Sequence, residues 1–348
     1  MSNPNVVVVG ATGAVGRVFL RILEQRHFPV NRLRLCASPR SIGKRIKVNG
    51  DDLLVEETTP EIFDDADFAF ISASTAVSRE LVPIAAKRGA LVIDDSSAWR
   101  MDPKVPLVVP EINGEDLEWH ENITAIPNCS TTQMVMALYP LHKANPIKRI
   151  IVDTYQAVSG TGTLAMDELR EESRVILNGG IAKPSVYPHQ IAFNVMPHIE
   201  PFMEDGYTRE EQKMLYETRK IMHAPDIAVS ATCVRVPVYL SHSEAVHVEF
   251  THPMSPGEAK VLMAAFPGVK IVDDPKTNTY PLAIDAADKD DVFVGRIRKD
   301  SSCANGLAMW VVSDNLRKGA ATNAIQIAEE VVKRELLKPR SGAKKARR

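Results

Sequence analysis

The sequence predicts an α/β chain with two domains. The first is a doubly wound parallel sheet and the second an α+β domain. Three observations carry this. Short, wholly apolar runs alternate with amphipathic helical stretches in the first third of the chain. A glycine-rich turn follows the first run at once. Past about residue 128 the strands become alternating and the helices longer and more charged.

The elements follow in order. "NVVVVG" (5–10) is a β-branched run bounded by glycine, as expected of a buried parallel strand. Residues 13–26 place Val15, Phe19, Ile22 and Leu23 on one helical face. "RLRLCAS" (32–38), "DFAFISAS" (67–74) and "GALVIDDS" (89–96) read as further strands, with the helix "AVSRELVPIAAKR" between the last two. In the second part "TLAMDELREESRVIL" and "REEQKMLYETRKIM" read as helices. "IAVSATCVRVPV", "EAVHVEFTH", "VFVGRIRKD" and "GLAMWVVSDNL" read as strands of an antiparallel or mixed sheet. Residues 319–337 form a final amphipathic helix, and "KPRSGAKKARR" is a basic, apolar-free end expected to be solvated.

A length of 348 residues suits two cores, and 45% apolar with 25% charged residues is ordinary for a soluble protein. A net charge of −2 gives no electrostatic reason to expect nucleic acid or an anionic membrane as partner. The N-terminus does not read as a signal peptide, and no run approaches the length of a membrane span. Four dispersed cysteines (Cys36, Cys129, Cys233, Cys303) form no C-x-x-C pair and no metal-spaced cluster, so a reduced, cytoplasmic setting and no metal are expected.

"GATGAVG" sets Gly10, Gly13 and Gly16 between a strand and a helix, where glycine lets backbone approach a phosphate and the helix N-terminus favours it. After the second strand, where NAD sites often carry an acid, "ASPRSIGKRIKV" offers Arg40, Ser41, Lys44 and Arg45 with no carboxylate near. This set suits a 2′-phosphate and predicts NADP. In "PNCSTTQ", Cys129 stands where a polar loop enters a helix, a position that lowers a thiol's pKa and offers N–H groups to an oxyanion. The other three cysteines read as small buried residues. A thiol needs a base, and "CVRVPVYLSHSEAVHVEF" singles out His242, with Arg235 seven residues earlier. A strand–turn–strand would bring both to one edge of the second sheet. "VDTYQAVSGTG" ends a strand in a loop with Gln156, Ser159 and Gly160 poised for a ligand. Glu217 and Lys220, three apart, read on spacing alone as an exposed intrahelical ion pair.

Taken together, "GATGAVG", "SPRSIGK", "DDSSAWR", "PNCSTTQ", "YQAVSGTG", "ETRKI", "RVPVYLSHSE" and "SDNLRKGAA" resemble the aspartate-semialdehyde dehydrogenase family over almost the whole chain. The resemblance implies a Rossmann domain, residues 1–128 with 316–348. A catalytic and dimerisation domain of the glyceraldehyde-3-phosphate dehydrogenase type would span 129–315. It implies reversible, phosphorylating oxidation of L-aspartate 4-semialdehyde to 4-phospho-L-aspartate with NADP, on the route to lysine, threonine, methionine and diaminopimelate, and a homodimer. By resemblance Cys129 is the nucleophile, His242 the general acid/base, and Gln156 orients the substrate. Arg235 would bind the substrate carboxylate, Glu217 its amino group, and Arg100 with Lys220 the phosphate. Gly10, Thr12, Gly13, Ala14, Val15, Arg40, Ser41, Ser159, Gly160 and Asn315 would contact NADP. An N-acetyl-glutamyl-phosphate reductase-like enzyme shares the thioester chemistry, and a non-catalytic NADP-binding paralogue is a third reading. Glu217 speaks against the first, since an acylated amine offers no cation.

Overall fold

The computed structural model describes residues 3–338. The basic end beyond Lys338 lies outside them. The chain divides into two compact units, the residues up to Pro127 with those from Ala320 onward, and Asn128–Gly319.

In the first unit the apolar runs become the strands β1 (Asn5–Val9) and β2 (Arg32–Ala37). A hairpin, β3 (Arg45–Val48) and β4 (Asp51–Glu57), follows. Then come β5 (Phe68–Ile71), β6 (Leu91–Asp94) and β7 (Ile123–Ala125). The sheet order is β3-β4-β2-β1-β5-β6-β7, parallel except where β3 joins β4. Helices α1 (Ala14–Gln25), α2 (Thr75–Lys87) and the single turn α3 (Pro110–Asn113) connect the strands. Strands β1, β5 and β6 are all but fully buried because helices cover both faces, which is why they carry no polar alternation. Phe19 of α1 stacks on Phe70 of β5 at 4.1 Å, and Val7, Ile71, Val82 and Val92 fill the α2 side.

The segment "ASPRSIGKRIKV", in which no strand was expected, thus ends in β3. Arg45 lies in β3, and its guanidinium meets the Asp52 carboxylate across the turn at 3.2 Å. A carboxylate is therefore near Arg45, contrary to the expectation that none is. The last helix runs Thr322–Lys333 rather than from 319, because Arg317–Ala321 form a π-turn. It returns to the first unit, where Asn323 Nδ2 donates to the Val108 carbonyl at 2.8 Å and Arg26 pairs with Glu329.

The second unit is a six-stranded sheet. After α4 (Cys129–Ala144) come β8 (Ile147–Gln156), α5 (Thr163–Leu177) and α6 (Arg209–Ile221). β9 (Ala228–Arg235), β10 (His242–Phe250), α7 (Pro256–Ala264) and β11 (Val269–Ile271) follow. The short α8 (Ala283–Ala286), β12 (Val292–Lys299) and β13 (Gly306–Ser313) complete it. The order is β11-β12-β13-β10-β8-β9, antiparallel in the middle and parallel at β8–β9 and β11–β12. Helices α4, α6 and α7 cover one face. The other leaves Ile151 and Tyr155 exposed, with Tyr155 beside Trp310 at 5.3 Å.

Candidate active site

Strand register sets three of the expected residues in one row. Gln156, the last residue of β8, pairs with Arg235, the last of β9. His242, the first of β10, pairs with Ser313 and lies next to Gln156, one step beyond the Ser243–Tyr155 pair. Paired positions share a face, so Arg235, Gln156 and His242 all stand under the helix layer, and all are buried. Arg235 and His242 are not hairpin partners, as the sequence suggested. β8 sits between their strands, because β9 crosses over to pair parallel with β8.

Cys129 opens α4. Asn128 caps this helix, its Oδ1 accepting from the Ser130 and Thr131 N–H groups at 3.0 and 3.3 Å. Such a cap is worth about 1 kcal/mol, and here it fixes the backbone beside the thiol. Cys129 is partly exposed, while Cys36 and Cys233 are buried. Burial pushes the Cys36 thiol up to about 12 and raises Cys233 further, so neither is a nucleophile. Cys303 is half-buried, not buried as expected. The loop before the last helix presses on Cys129. A Cβ at Gly319 would lie 2.8 Å from Cys129 Cβ. Asp314 holds that loop, its Oδ1 accepting from the Leu316 and Arg317 N–H groups.

His242 is anchored through Nδ1, which accepts the Ala157 N–H at 3.0 Å. Ser241 before it has φ 72°, a left-handed conformation that costs energy for serine and is over-determined here by Asn315. Asn315 Oδ1 accepts from the Ser241 N–H and from Ser159 Oγ, both at 3.0 Å. Arg235 Nη1 donates to the Ala157 carbonyl at 2.7 Å. A Cβ at Gly160 would stand 3.1 Å from Arg235 Nη1 and 3.3 Å from His242 Nε2. The guanidinium and the imidazole therefore converge on the space beside Gly160, where any larger side chain would crowd both.

Glu217 is buried, and its Oε2 accepts the Asn128 N–H at 2.6 Å. The exposed ion pair read from spacing is thus overturned, since this face of α6 packs on α4. Lys220 is half-buried on the same helix. Glu210, two turns earlier, was not singled out by the sequence. Its Oε1 accepts from Gln156 Nε2 at 3.0 Å and Asn128 Nδ2 at 2.9 Å. A signal existed, because Glu210, Met214, Glu217 and Ile221 share one buried stripe, and acids at core spacing are rarely idle.

In the first unit the dinucleotide-type turn has the expected shape. Gly10 has φ +88°, and a Cβ there would meet the Ser72 carbonyl oxygen at 2.0 Å. At Gly16 a Cβ would meet the Gly10 oxygen at 2.2 Å. Gly13 caps α1 and, with Thr12, Ala14 and Val15, retains exposure. The cradle is open to a pyrophosphate at the helix N-terminus. Thr12 Oγ1 reaches Ser41 Oγ at 3.3 Å, so the glycine turn and the basic loop meet. Arg40 and Lys44 are exposed. Arg100 is buried, with Nη2 donating to the Asp95 carbonyl at 2.9 Å. Among the described residues no cluster of three or more His, Cys, Asp or Glu is placed to hold a metal, and no helix is long and apolar enough to cross a membrane.

Comparison with known proteins follows the same division. Residues 5–120 match the family described as semialdehyde dehydrogenase, NAD binding domain, and 138–318 match semialdehyde dehydrogenase, dimerisation domain. The chain is 53% identical to an aspartate-semialdehyde dehydrogenase of Aquifex aeolicus, over 95% of this chain and 99% of that one. It is 50% identical to that of Bacillus subtilis, over 96% and 99%. The crystal structure of aspartate semialdehyde dehydrogenase II from Vibrio cholerae, complexed with ASA, superposes with a TM-score of 0.93 at 45% identity, covering 96% of this chain and 99% of that one.

Proposed function

The chain belongs to the aspartate-semialdehyde dehydrogenase family, and from that premise we propose NADP-dependent, phosphorylating, reversible oxidation of L-aspartate 4-semialdehyde through a thioester on Cys129. The observation that carries this reading is the convergence of Arg235 and His242 on the point beside Gly160. A cation for a carboxylate and a proton donor for a reacting oxygen stand together there.

The chemistry follows from the residues. The Cys129 thiolate adds to the aldehyde carbon, and the C=O becomes an alkoxide. His242 stabilises that alkoxide by donating a hydrogen bond from Nε2–H. The alkoxide re-forms its C=O as hydride departs, leaving a thioester on Cys129. NADP+ held at the Gly10–Val15 turn would supply the hydride acceptor. A phosphate oxygen then attacks the thioester carbon, expelling the thiolate and giving 4-phospho-L-aspartate. Gln156 orients the substrate, Arg235 pairs with its α-carboxylate and Glu217 with its ammonium. Arg100 and Lys220 are the phosphate ligands.

Gly10, Thr12, Gly13, Ala14 and Val15 hold the pyrophosphate, and Arg40 with Ser41 selects NADP over NAD. Ser159, Gly160 and Asn315 complete the cofactor's contacts. The domain boundaries inferred from the resemblance belong to this reading. So do a homodimer formed by the second unit's open sheet face, a cytoplasmic setting and a place on the route to lysine, threonine, methionine and diaminopimelate.

Initial rates with the two candidate semialdehydes test this. NADPH formation from aspartate semialdehyde that requires phosphate, with NADP preferred over NAD, is expected. Preference for N-acetyl-glutamate semialdehyde assigns the rival activity instead, and inactivity on both assigns a binding role.

A further inference from the structure

Two amides flank the nucleophile's helix and the substrate-orienting position, and one carboxylate decides which way both point. Glu210 is 4% exposed and stands on the stripe of α6 that packs against α4 and β9. A carboxylate oxygen can only accept, so Gln156 must turn Nε2 toward it. Its Oε1 then faces Thr154, whose Oγ1 donates at 3.2 Å. Asn128 must likewise turn Nδ2 toward Glu210, which directs Oδ1 at the helix N–H groups. Were Asn128 reversed, its amide nitrogen would face two donors and its oxygen would face the carboxylate. The other oxygen of Glu210 accepts from Lys213 Nζ at 3.0 Å, and Lys213 also meets Glu200 at 2.7 Å.

We propose that Glu210 is a positioning residue for this reaction, orienting the Asn128 cap of the nucleophile's helix and the Gln156 amide with one ionised oxygen. The inference rests on reading Cys129 as nucleophile and Gln156 as the substrate-orienting group. Burial alone would raise this carboxyl. The Lys213 charge and the donated hydrogen bonds from Gln156 and Asn128 outweigh it and hold the group down at about 2. It is therefore an acceptor at every working pH.

The test uses the full-length protein. Alkylation of Cys129 by iodoacetamide, followed by mass spectrometry without substrates, reads the helix terminus independently of turnover. Glu210→Ala is expected to slow alkylation about tenfold, through the thiol's environment. It is expected to lower kcat about a hundredfold with a much smaller change in the KM for phosphate, through misplacement. Glu210→Gln, which keeps an accepting oxygen, recovers most of both.

Asn128→Asp guards against a trivial folding defect. Aspartate is as good a helix cap as asparagine, so a mere cap leaves this variant alkylated at the wild-type rate. Facing Glu210, it is expected instead to be slowed, and Asn128→Asp with Glu210→Gln restores the rate. Wild-type alkylation and kcat in Glu210→Ala, or an unimpaired Asn128→Asp, would overturn the proposal. Alkylation behaving as expected in a protein inactive on aspartate semialdehyde would sink the functional reading alone.

Discussion

The backbone N–H of Ala157 donates to Nδ1 of His242 at 3.0 Å. A backbone N–H cannot accept, so Nδ1 carries a lone pair and the neutral ring holds its proton on Nε2. Burial disfavours the cation first and the Arg235 charge second. Together they outweigh Glu210 and lower His242 to about 3. The ring is therefore neutral above that value and presents Nε2–H throughout the physiological range. The expected kcat/KM profile, which reports the free enzyme, has no histidine limb between about pH 5 and 8. An inflection near the ordinary histidine value of about 6.5 that vanishes in His242→Asn would contradict this tautomer.

Glu244 lies two residues along β10 from His242, on the same face, and is fully buried. Burial pushes its carboxyl well above the ordinary range, with the Gln133 amide working against the shift. In the unfolded chain the group ionises above about pH 4.3, while in the folded chain it stays neutral to higher pH. Stability from this site is full below the unfolded value and is lost as pH rises toward the folded one. Glu244→Gln removes that loss. The variant is expected to melt above the wild type at pH 8 and level with it at pH 4. An equal difference at both values would count against a buried neutral acid.

Gly319 packs against Cys129. A methyl group at this position would stand 2.8 Å from Cys129 Cβ, so Gly319→Ala must displace either the π-turn or the first turn of α4. A shift of the order of 1 Å costs about a hundredfold in rate. The expected result is a kcat lowered to that extent with the fold retained by circular dichroism. Unchanged kcat would mean that the turn yields without moving the thiol.

The buried parallel strands were legible because both faces of each are covered, so the sequence carries unbroken apolar runs. The β3–β4 hairpin was not, because charged residues crowd both its strands. Its signal is the turn Asn49–Gly50, both with positive φ, which suits a two-residue hairpin. The sequence context of Cys129 pointed to a helix terminus, and α4 begins there. The placement of Arg235 against His242 could not be read from the chain, since it depends on β8 inserting between their strands. Glu217 looked like a solvated charge because helical spacing does not say which face is covered. Glu210 was hidden for the same reason, and both acids turn inward to satisfy backbone and amide donors of α4 and β8.

Whether Cys129 carries the oxidised substrate is tested most directly by mass spectrometry of the protein mixed with aspartate semialdehyde and NADP+ without phosphate. An aspartyl adduct is expected on the peptide containing Cys129, discharged when phosphate is added and absent in Cys129→Ala. Phosphate-dependent NADPH formation that survives Cys129→Ala, or an adduct on another residue, would contradict it.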